Sequence, residues 1–311
     1  MRMIKSALLA ASLLTLSWSA SADETACRKV RFSDPGWTDI TSTTALASAV
    51  LEGLGYKPSS DTLSVAVTLQ ALRNGDIDVF LGNWMPAQTE MVKPYLESGV
   101  EVVVTNLEGA KVTLAVNRSA WEAGVKSFAD LHKFGDRFGK TIYSIEPGSS
   151  ASEKLHAIID SNDFELGDWK LSESSEQAML SQVDRASRRN EWVVFLGWEP
   201  HPMNLKYEIA YLDGGDKYFG PNYGGATVRT LAHTAYLDQC PNLRKFFSQL
   251  VFDVKAENEM MHAILDKGMD PADAAEEWLK ANPQVLERWL DGVTTIDGES
   301  GLSAVTAHLG G

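Results

Sequence analysis

Two similar stretches decide the fold of this 311-residue chain: DVFLGNWMP at residues 78–86 and WVVFLGWEP at residues 192–200. Each is an apolar run of the kind that favours a buried strand, and Gly, Trp and Pro follow it. Because Gly and Pro mark the end of a strand, Trp84 and Trp198 are expected where a strand stops and a loop begins. Ligands bind at such strand ends in open α/β sheets. Two of these tryptophans, more than a hundred residues apart, predict two similar lobes that face one cleft.

Predicted strands and helices alternate along most of the chain. The expected strands are at residues 29–33, 63–66, 78–82 and 100–104 in a first series, and at 112–116, 141–145, 191–197 and 207–212 in a second. From residue 240 onward, apolar residues recur at helical spacing. The alternation predicts an α/β fold with a mainly parallel sheet.

The two lobes are expected to be built from three chain segments. Residues 27–108 plus 213–311 form lobe one, and residues 109–212 form lobe two. Each lobe is predicted to be a central sheet flanked by helices. Because the chain crosses twice between the lobes, they can close about a hinge around a ligand.

The first 22 residues are predicted to be a secretory signal peptide. A short basic start at residues 1–5 precedes an apolar run at 7–16, and an A-x-A pattern at 20–22 places cleavage after Ala22. The apolar run is far short of the ~20 residues of a transmembrane helix. The protein is therefore expected to be exported.

The chain is strongly acidic. Its net charge is −14, which becomes −16 when the signal peptide is removed, because that segment carries Arg2 and Lys5 and no acid. An acidic surface does not follow a phosphate backbone, so nucleic acid is not an expected partner. The same charge weakly favours a cationic ligand.

The only two cysteines are Cys27 and Cys240. In an exported chain, a lone pair of cysteines usually forms a disulfide. Such a bridge would hold the mature N-terminus beside a late segment of the chain. Two free thiols or a metal-binding pair are the alternatives.

Motifs of catalysis do not occur in the sequence. The six histidines have no metal-ligand spacing, and no HExxH, GxSxG or Walker motif is present, nor a GxGxxG after a strand. No catalytic residue, metal or cofactor is therefore expected. The segment 147–150, Pro-Gly-Ser-Ser, opens a helix, where its backbone N–H groups or hydroxyls would contact a ligand or cap the helix.

Three tryptophans each follow a strand and a Gly: Trp37, Trp84 and Trp198. Tryptophan faces attract cations, and aromatic cages are the usual solution for quaternary ammonium groups, which have no N–H to donate. Asp39, two residues after Trp37, would supply a counter-charge or accept a hydrogen bond from a ligand hydroxyl. Its alternative role is to cap the helix that follows. The trio predicts a site for a quaternary amine.

Four segments carry a resemblance to a known family: residues 36–39 (GWTD), 75–86 (GDIDVFLGNWMP), 197–202 (GWEPHP) and 219–225 (FGPNYGG). With them, the mature chain resembles the substrate-binding proteins of ABC importers for choline and glycine betaine, and most closely the periplasmic choline-binding type. The resemblance implies the two-lobed periplasmic binding protein fold (type II), with the ligand trapped between the lobes. It also implies a membrane permease and an ATPase as partners. A monomer is expected because a hinge needs free lobes.

The resemblance also assigns the site residues. It implies that Trp37, Trp84 and Trp198 surround the ammonium group and that Asp39 binds the hydroxyl end of a choline-like ligand. Val112 stands where the family's cage has a fourth wall, usually a Tyr. Ser149 stands where the choline-binding pattern has an Asn. One lost aromatic contact weakens a cage by roughly 0.5–2 kcal/mol.

Choline is the first expected ligand, and glycine betaine, carnitine or another trimethylammonium compound are the alternatives. Two other classes of function compete with transport. An exported choline-ester hydrolase would use Asp39, Glu199 or Asp213, although no nucleophile with its base is apparent in the sequence. A sensory module, whose ligand-bound form contacts a receptor, would show the same site residues.

Overall fold

A computed structural model describes residues 26–310 of the chain, so the predicted signal peptide and its cleavage site lie outside the described residues. The strands of the described part are β1 (Lys29–Asp34), β2 (Lys57–Thr62), β3 (Val79–Met85), β4 (Val100–Asn117), β5 (Thr141–Ser144), β6 (Lys170–Glu173), β7 (Val194–Glu199), β8 (Ile209–Tyr211) and β9 (Gly225–His233).

Helices flank the strands along the chain. They are α1 (Thr38–Gly53), α2 (Val65–Asn74), α3 (Thr89–Leu96), α4 (Arg118–Glu122), α5 (Phe128–Leu131), α6 (Gly135–Phe138), α7 (Ser150–Asp160), α8 (Glu176–Arg188), α9 (Met203–Lys206), α10 (Asp216–Phe219), α11 (Pro221–Gly224), α12 (Thr234–Gln239), α13 (Pro241–Gln249), α14 (Val254–Leu265), α15 (Pro271–Ala281), α16 (Gln284–Trp289) and α17 (Gly301–Gly310), with 3₁₀ turns at His132–Phe134 and Asp163–Glu165.

The strands form one mixed sheet in the order β2-β1-β3-β9-β4-β7-β5-β6, and β8 lies beside β4. At one end, β1 is parallel to β2 and β3; at the other end, β5 is parallel to β6 and β7. Two antiparallel strands, β4 and β9, join these halves. This is the predicted α/β architecture with two lobes. The prediction of a mainly parallel sheet is wrong, because β4 and β9 pair antiparallel with each other and with their other neighbours.

The prediction of two separate strands at 100–104 and 112–116 is wrong. The structure has one strand over Val100–Asn117, with irregular register against β9 between Leu107 and Ala110. Gly109 adopts φ +77° there, a backbone conformation that glycine tolerates without strain. The local turn signal is real, but it produces a bulge within one strand because β9 continues the pairing.

The strand predicted at 63–66 is also wrong. The structure places β2 at Lys57–Thr62 and begins helix α2 at Val65. Strand β2 reads KPSSDT and is mostly exposed, since it lies at the sheet edge and pairs only with β1. An edge strand of this kind carries no apolar signal in its sequence.

The C-terminal helices cover α1. Helices α14, α15 and α17 all contact it, so α1 is buried on most sides although it contains many Thr and Ser residues. Cys27 and Cys240 form a disulfide with Cα atoms 5.6 Å apart, which ties the start of the described chain to the beginning of this helical region. Within residues 26–310, no helix has the length and apolar character needed to cross a membrane.

Residues 213–219 pack against α5 and the 3₁₀ turn at Asp163–Glu165, which lie between β4 and β6 along the chain. The carbonyl oxygen of Asp213 accepts a hydrogen bond from the backbone N–H of Phe128 at 2.9 Å. The ring of Phe219 lies 6.0 Å from that of Phe128, and Lys217 pairs with Asp163 at 2.6 Å. The chain then returns to the other half along β9.

Candidate functional site

One cavity lies between the two lobes, and all six residues predicted to bind ligand line it. It contains about 420 Å³ of space between atoms, its opening to solvent included. The lining residues are Trp37, Asp39, Trp84, Ala87, Gln88, Val112, Ile145, Ser149, Ser150, Ala151, Leu196 and Trp198.

The repeated sequence segments place two tryptophans at equivalent positions. Trp84 is the penultimate residue of β3 and Trp198 is the penultimate residue of β7, so both belong to strands, where a loop position was predicted. A cis proline follows each strand, Pro86 in one case and Pro200 in the other. Trp37, Trp84 and Trp198 are only 5–7% exposed, and each lines the cavity.

Trp37 links the lobes. It follows Gly36, whose φ of +87° makes the turn from β1 into α1, and it is the residue just before that helix. Its indole Nε1–H donates to both carboxylate oxygens of Glu146, at 2.9 and 3.1 Å, across 109 residues of sequence. Burial raises the pKa of Glu146, and the hydrogen bond from Trp37 opposes that rise. The polar atom of this indole is therefore satisfied by protein.

Asp39 is the acidic group of the cavity lining and is 1% exposed. Its Oδ2 accepts from the indole Nε1–H of Trp84 at 3.1 Å, while its Oδ1 is buried and has no hydrogen-bond partner within residues 26–310. Burial, helped by the nearby carboxylate of Glu176, raises the pKa of Asp39 to about 8. Asp39 thus presents an acceptor that no group of the described chain satisfies.

Val112 forms an aliphatic side of the cavity. It lies on β4 directly opposite Trp198 on β7. Gly224 packs against its backbone: a Cβ at Gly224 would lie 1.9 Å from the carbonyl oxygen of Val112. The backbone of Val112 is therefore closely confined, and its side chain is 7% exposed where it lines the cavity.

Ser149 has the capping role that was predicted as one alternative for its loop. Its hydroxyl oxygen accepts from the backbone N–H of Ser152 at 3.2 Å, so it caps helix α7. It also lines the cavity.

Sequence reasoning missed several residues of the site. Gln88 is fully buried in the lining, where its side-chain oxygen accepts from Asn83 at 2.8 Å. It follows the first repeated segment by two residues, so extending that segment would have included it. Glu146 and Glu176 hold Trp37 and Thr38 through contacts far apart in sequence, for which no local signal exists.

The three acids considered for a hydrolase do not come together. Asp39 lines the cavity, but Glu199 pairs with Lys111 at 3.1 Å and Asp213 is exposed and bonds to the backbone of Gly214. Among the lining residues that the structure describes there is no His or Cys. Within residues 26–310, no cluster of three or more His, Cys, Asp or Glu side chains is arranged to hold a metal ion.

Residues 28–281 match the family model described as the substrate-binding domain of the ABC-type glycine betaine transport system. The chain belongs to this family. The chain is similar to a solved structure of an ABC-transporter choline-binding protein in complex with choline. The two are 50% identical, and the match covers 92% of this chain and 99% of that chain with a TM-score of 0.90. The closed, glycine betaine-bound lactococcal OpuAC is 27% identical, with 84% and 99% covered and a TM-score of 0.76.

A curated relative is shorter than this chain. An uncharacterised protein of Chromohalobacter salexigens is 50% identical over 146 residues, which are 47% of this chain and 94% of that protein. The family match and the structural similarity along nearly the whole chain identify a substrate-binding protein of an ABC importer.

Proposed function

We propose that this protein captures choline, or a close quaternary amine, in the cavity between its lobes and delivers it to a membrane permease. The observation that carries the proposal is the meeting of Trp37, Trp84 and Trp198 with Asp39 in one buried cavity. Three indoles supply π faces and one carboxyl group supplies an unsatisfied acceptor. The structure of the choline-binding protein with choline, at 50% identity, supports the same ligand class.

The chemistry of the lining favours a cation. A trimethylammonium group has no proton to donate, so contact with aromatic faces is the means of binding it. The hydroxyl of choline would donate to Oδ1 of Asp39, which otherwise stays buried without a partner. Among the lining residues that the structure describes, none is Lys or Arg, so the carboxylate of glycine betaine or carnitine would meet no cationic side chain. We therefore place choline first, with these compounds as alternatives.

The division into lobes stays a prediction, and we propose one change in it. The contacts of residues 213–219 with Phe128 and Asp163, both in predicted lobe two, favour a return crossing near Gly225, where β9 begins. Hinge motion would then occur in β4 near Gly109 and at the start of β9. Closure would bring Trp37 and Asp39 against Trp198 and Ser149.

The remaining expectations are parts of the same proposal. The protein would act in the periplasm after export, as a monomer, with the permease and ATPase of its importer as partners. It would bind without turnover, because the lining residues that the structure describes pair no nucleophile with a base.

Calorimetric titration of residues 23–311 with choline, glycine betaine, carnitine and acetylcholine tests the proposal. Trp84→Ala should weaken binding of the preferred ligand by roughly twofold to thirtyfold or more, as expected for a lost cation–π contact of about 0.5–2 kcal/mol with added loss of packing. Trp121→Ala is the matched control, because Trp121 stacks under Lys126 outside the cavity. No heat with any of the four ligands would refute the quaternary-amine proposal. Choline released from acetylcholine would instead support a hydrolase.

A further inference from the structure

Glu176 connects the two lobes through a buried carboxylate. It is the first residue of α8, and its side chain is 0% exposed. One carboxylate oxygen accepts from the backbone N–H of Thr38 at 2.8 Å, and the other accepts from the Thr38 hydroxyl at 2.6 Å. Thr38 begins α1 in the other lobe, between the cavity residues Trp37 and Asp39.

Helix α1 has no cap from its own residues. The side chain of Trp37, at its N-cap position, makes no capping hydrogen bond. The first N–H groups of a helix need acceptors from outside the helix, and a carboxylate there also interacts favourably with the helix dipole. Glu176 meets this need at α1 while it stands in the first turn of α8. The cap of α1 therefore comes from the opposite lobe and exists only while the lobes are together.

His201 provides the third contact of this carboxylate. Its Nδ1 accepts from the backbone N–H of Met203 at 3.0 Å, which leaves the proton of the neutral ring on Nε2. That Nε2 lies 3.2 Å from Oε1 of Glu176 and donates to it. The His201 side chain is 1% exposed, and its ring packs edge-on against Trp198, with centroids 4.9 Å apart.

These contacts form a continuous path from one side of the cage to the other. It runs from Trp198 through His201 and Glu176 to Thr38, whose neighbours are Trp37 and Asp39. We infer that Glu176 is a positioning residue that couples lobe closure to the shape of the cage, holding the walls of both lobes in their binding arrangement. The cage role of the tryptophans rests on the proposed function, whereas the closure role of Glu176 does not.

The contact acts on the closed state, so it governs how fast a bound ligand escapes. A ligand enters between open lobes, before the Glu176 contact forms, and leaves only after that contact breaks. Loss of a charge-assisted hydrogen bond at such a point corresponds to a change of roughly tenfold to a hundredfold. That change should appear in the dissociation rate constant, with little change in the association rate constant.

The test combines ligand kinetics with a measure of closure that needs no ligand. Fluorophores on Ser59→Cys and Ser161→Cys, exposed positions on opposite lobes, report the closed fraction by single-molecule energy transfer. Stopped-flow tryptophan fluorescence gives the rate constants for choline. The variants are Glu176→Ala, Glu176→Gln and His201→Gln, and the control is Glu153→Gln, an exposed acid in the first turn of α7.

Glu176→Ala should lower the closed fraction with and without choline and raise the dissociation rate constant roughly tenfold to a hundredfold. Glu176→Gln should fall between wild type and Ala, because the amide oxygen still accepts from Thr38. The melting temperature without ligand should change little, since the open lobes lack the contact.

An unchanged closed fraction in Glu176→Ala, or a lowered melting temperature with an unchanged dissociation rate constant, would overturn the inference. If the wild-type protein does not bind choline while Glu176→Ala still lowers the ligand-free closed fraction, the proposed ligand is wrong and the closure role of Glu176 is supported.

Discussion

The indole Nε1–H of Trp84 donates a hydrogen bond to Oδ2 of Asp39 at 3.1 Å, and the other oxygen of this carboxyl group has no partner within the described chain. One oxygen thus holds a wall of the cavity, and the other is a buried acceptor that no group within residues 26–310 satisfies. Because an unsatisfied buried acceptor costs roughly 1–3 kcal/mol, a ligand that donates to it gains that energy on binding. On the proposed function, this pair would favour a cation that also carries a hydroxyl.

The first prediction is that choline binds more tightly as pH rises from 6 toward 8. In the empty site Asp39 has a pKa of about 8, because of burial and the acids around it, Glu176 and Asp34, with Glu257 also facing it. Below that pH the group is protonated, whereas a cation with a donated hydroxyl favours the carboxylate. Binding must then release a proton, so the affinity should rise by up to about tenfold per pH unit and level off above pH 8.

Calorimetry in buffers of different ionisation enthalpy measures both the affinity and the released proton. Asp39→Asn, which cannot titrate, is the control and should give a flat profile with weaker binding. A flat profile in wild type, or an affinity that falls between pH 6 and 8, would contradict this account of Asp39.

A second prediction concerns zwitterionic ligands. Glycine betaine would place its carboxylate near Asp39, which can donate a hydrogen bond only while it is protonated. Its binding should therefore weaken as pH rises through about 8, the opposite of choline. Parallel titrations of both ligands at pH 6 and 9 give the comparison. Equal pH dependence for the two would show that Asp39 does not distinguish them.

The third prediction addresses Val112. Val112→Tyr adds an aromatic face beside Trp198, so choline should bind roughly twofold to thirtyfold more tightly, as expected for about 0.5–2 kcal/mol per cation–π contact. Val112→Leu is the matched control, because it enlarges the side chain without a π system, and it should give no gain. The affinity of both variants for choline is measured by titration. A gain in the leucine variant equal to that in the tyrosine variant would assign the effect to packing.

The fourth prediction is that the disulfide stabilises the fold without affecting ligand affinity. Cys27 and Cys240 are 213 residues apart in sequence, and neither lines the cavity. Chain-entropy arguments for so long a loop give at most about 5 kcal/mol. The double variant Cys27→Ser/Cys240→Ser should therefore unfold at lower denaturant concentration and bind choline as wild type does at 20 °C. An unchanged unfolding midpoint would argue against a stabilising bridge.

The sequence predicts the part of the site that depends on local signals. Trp84 and Trp198 end buried strands in two similar segments, and Gly36 marks the turn that presents Trp37; each signal lies within a few residues. Trp37, Trp84 and Trp198 accordingly line one cavity, with Asp39 and Ser149. Val112 lines it too, but only the family resemblance pointed to that position.

The carboxylates that organise these residues could not be found in this way. Glu146 reaches Trp37 across 109 residues and Glu176 reaches Thr38 across 138. Only the sheet topology brings them together. The same reason explains why β4 was predicted as two strands. Gly109 is a local turn signal, and only the pairing with β9 on both sides of it makes β4 one strand.

The most direct test of the central claim compares choline with 3,3-dimethylbutan-1-ol, which has the same shape and hydroxyl but a neutral carbon in place of nitrogen. If the three indoles bind a cation through their π faces, wild type should bind choline at least about tenfold more tightly than the neutral analogue in calorimetric titration. Equal affinity for the two would contradict the cage and leave a cavity that selects by shape alone.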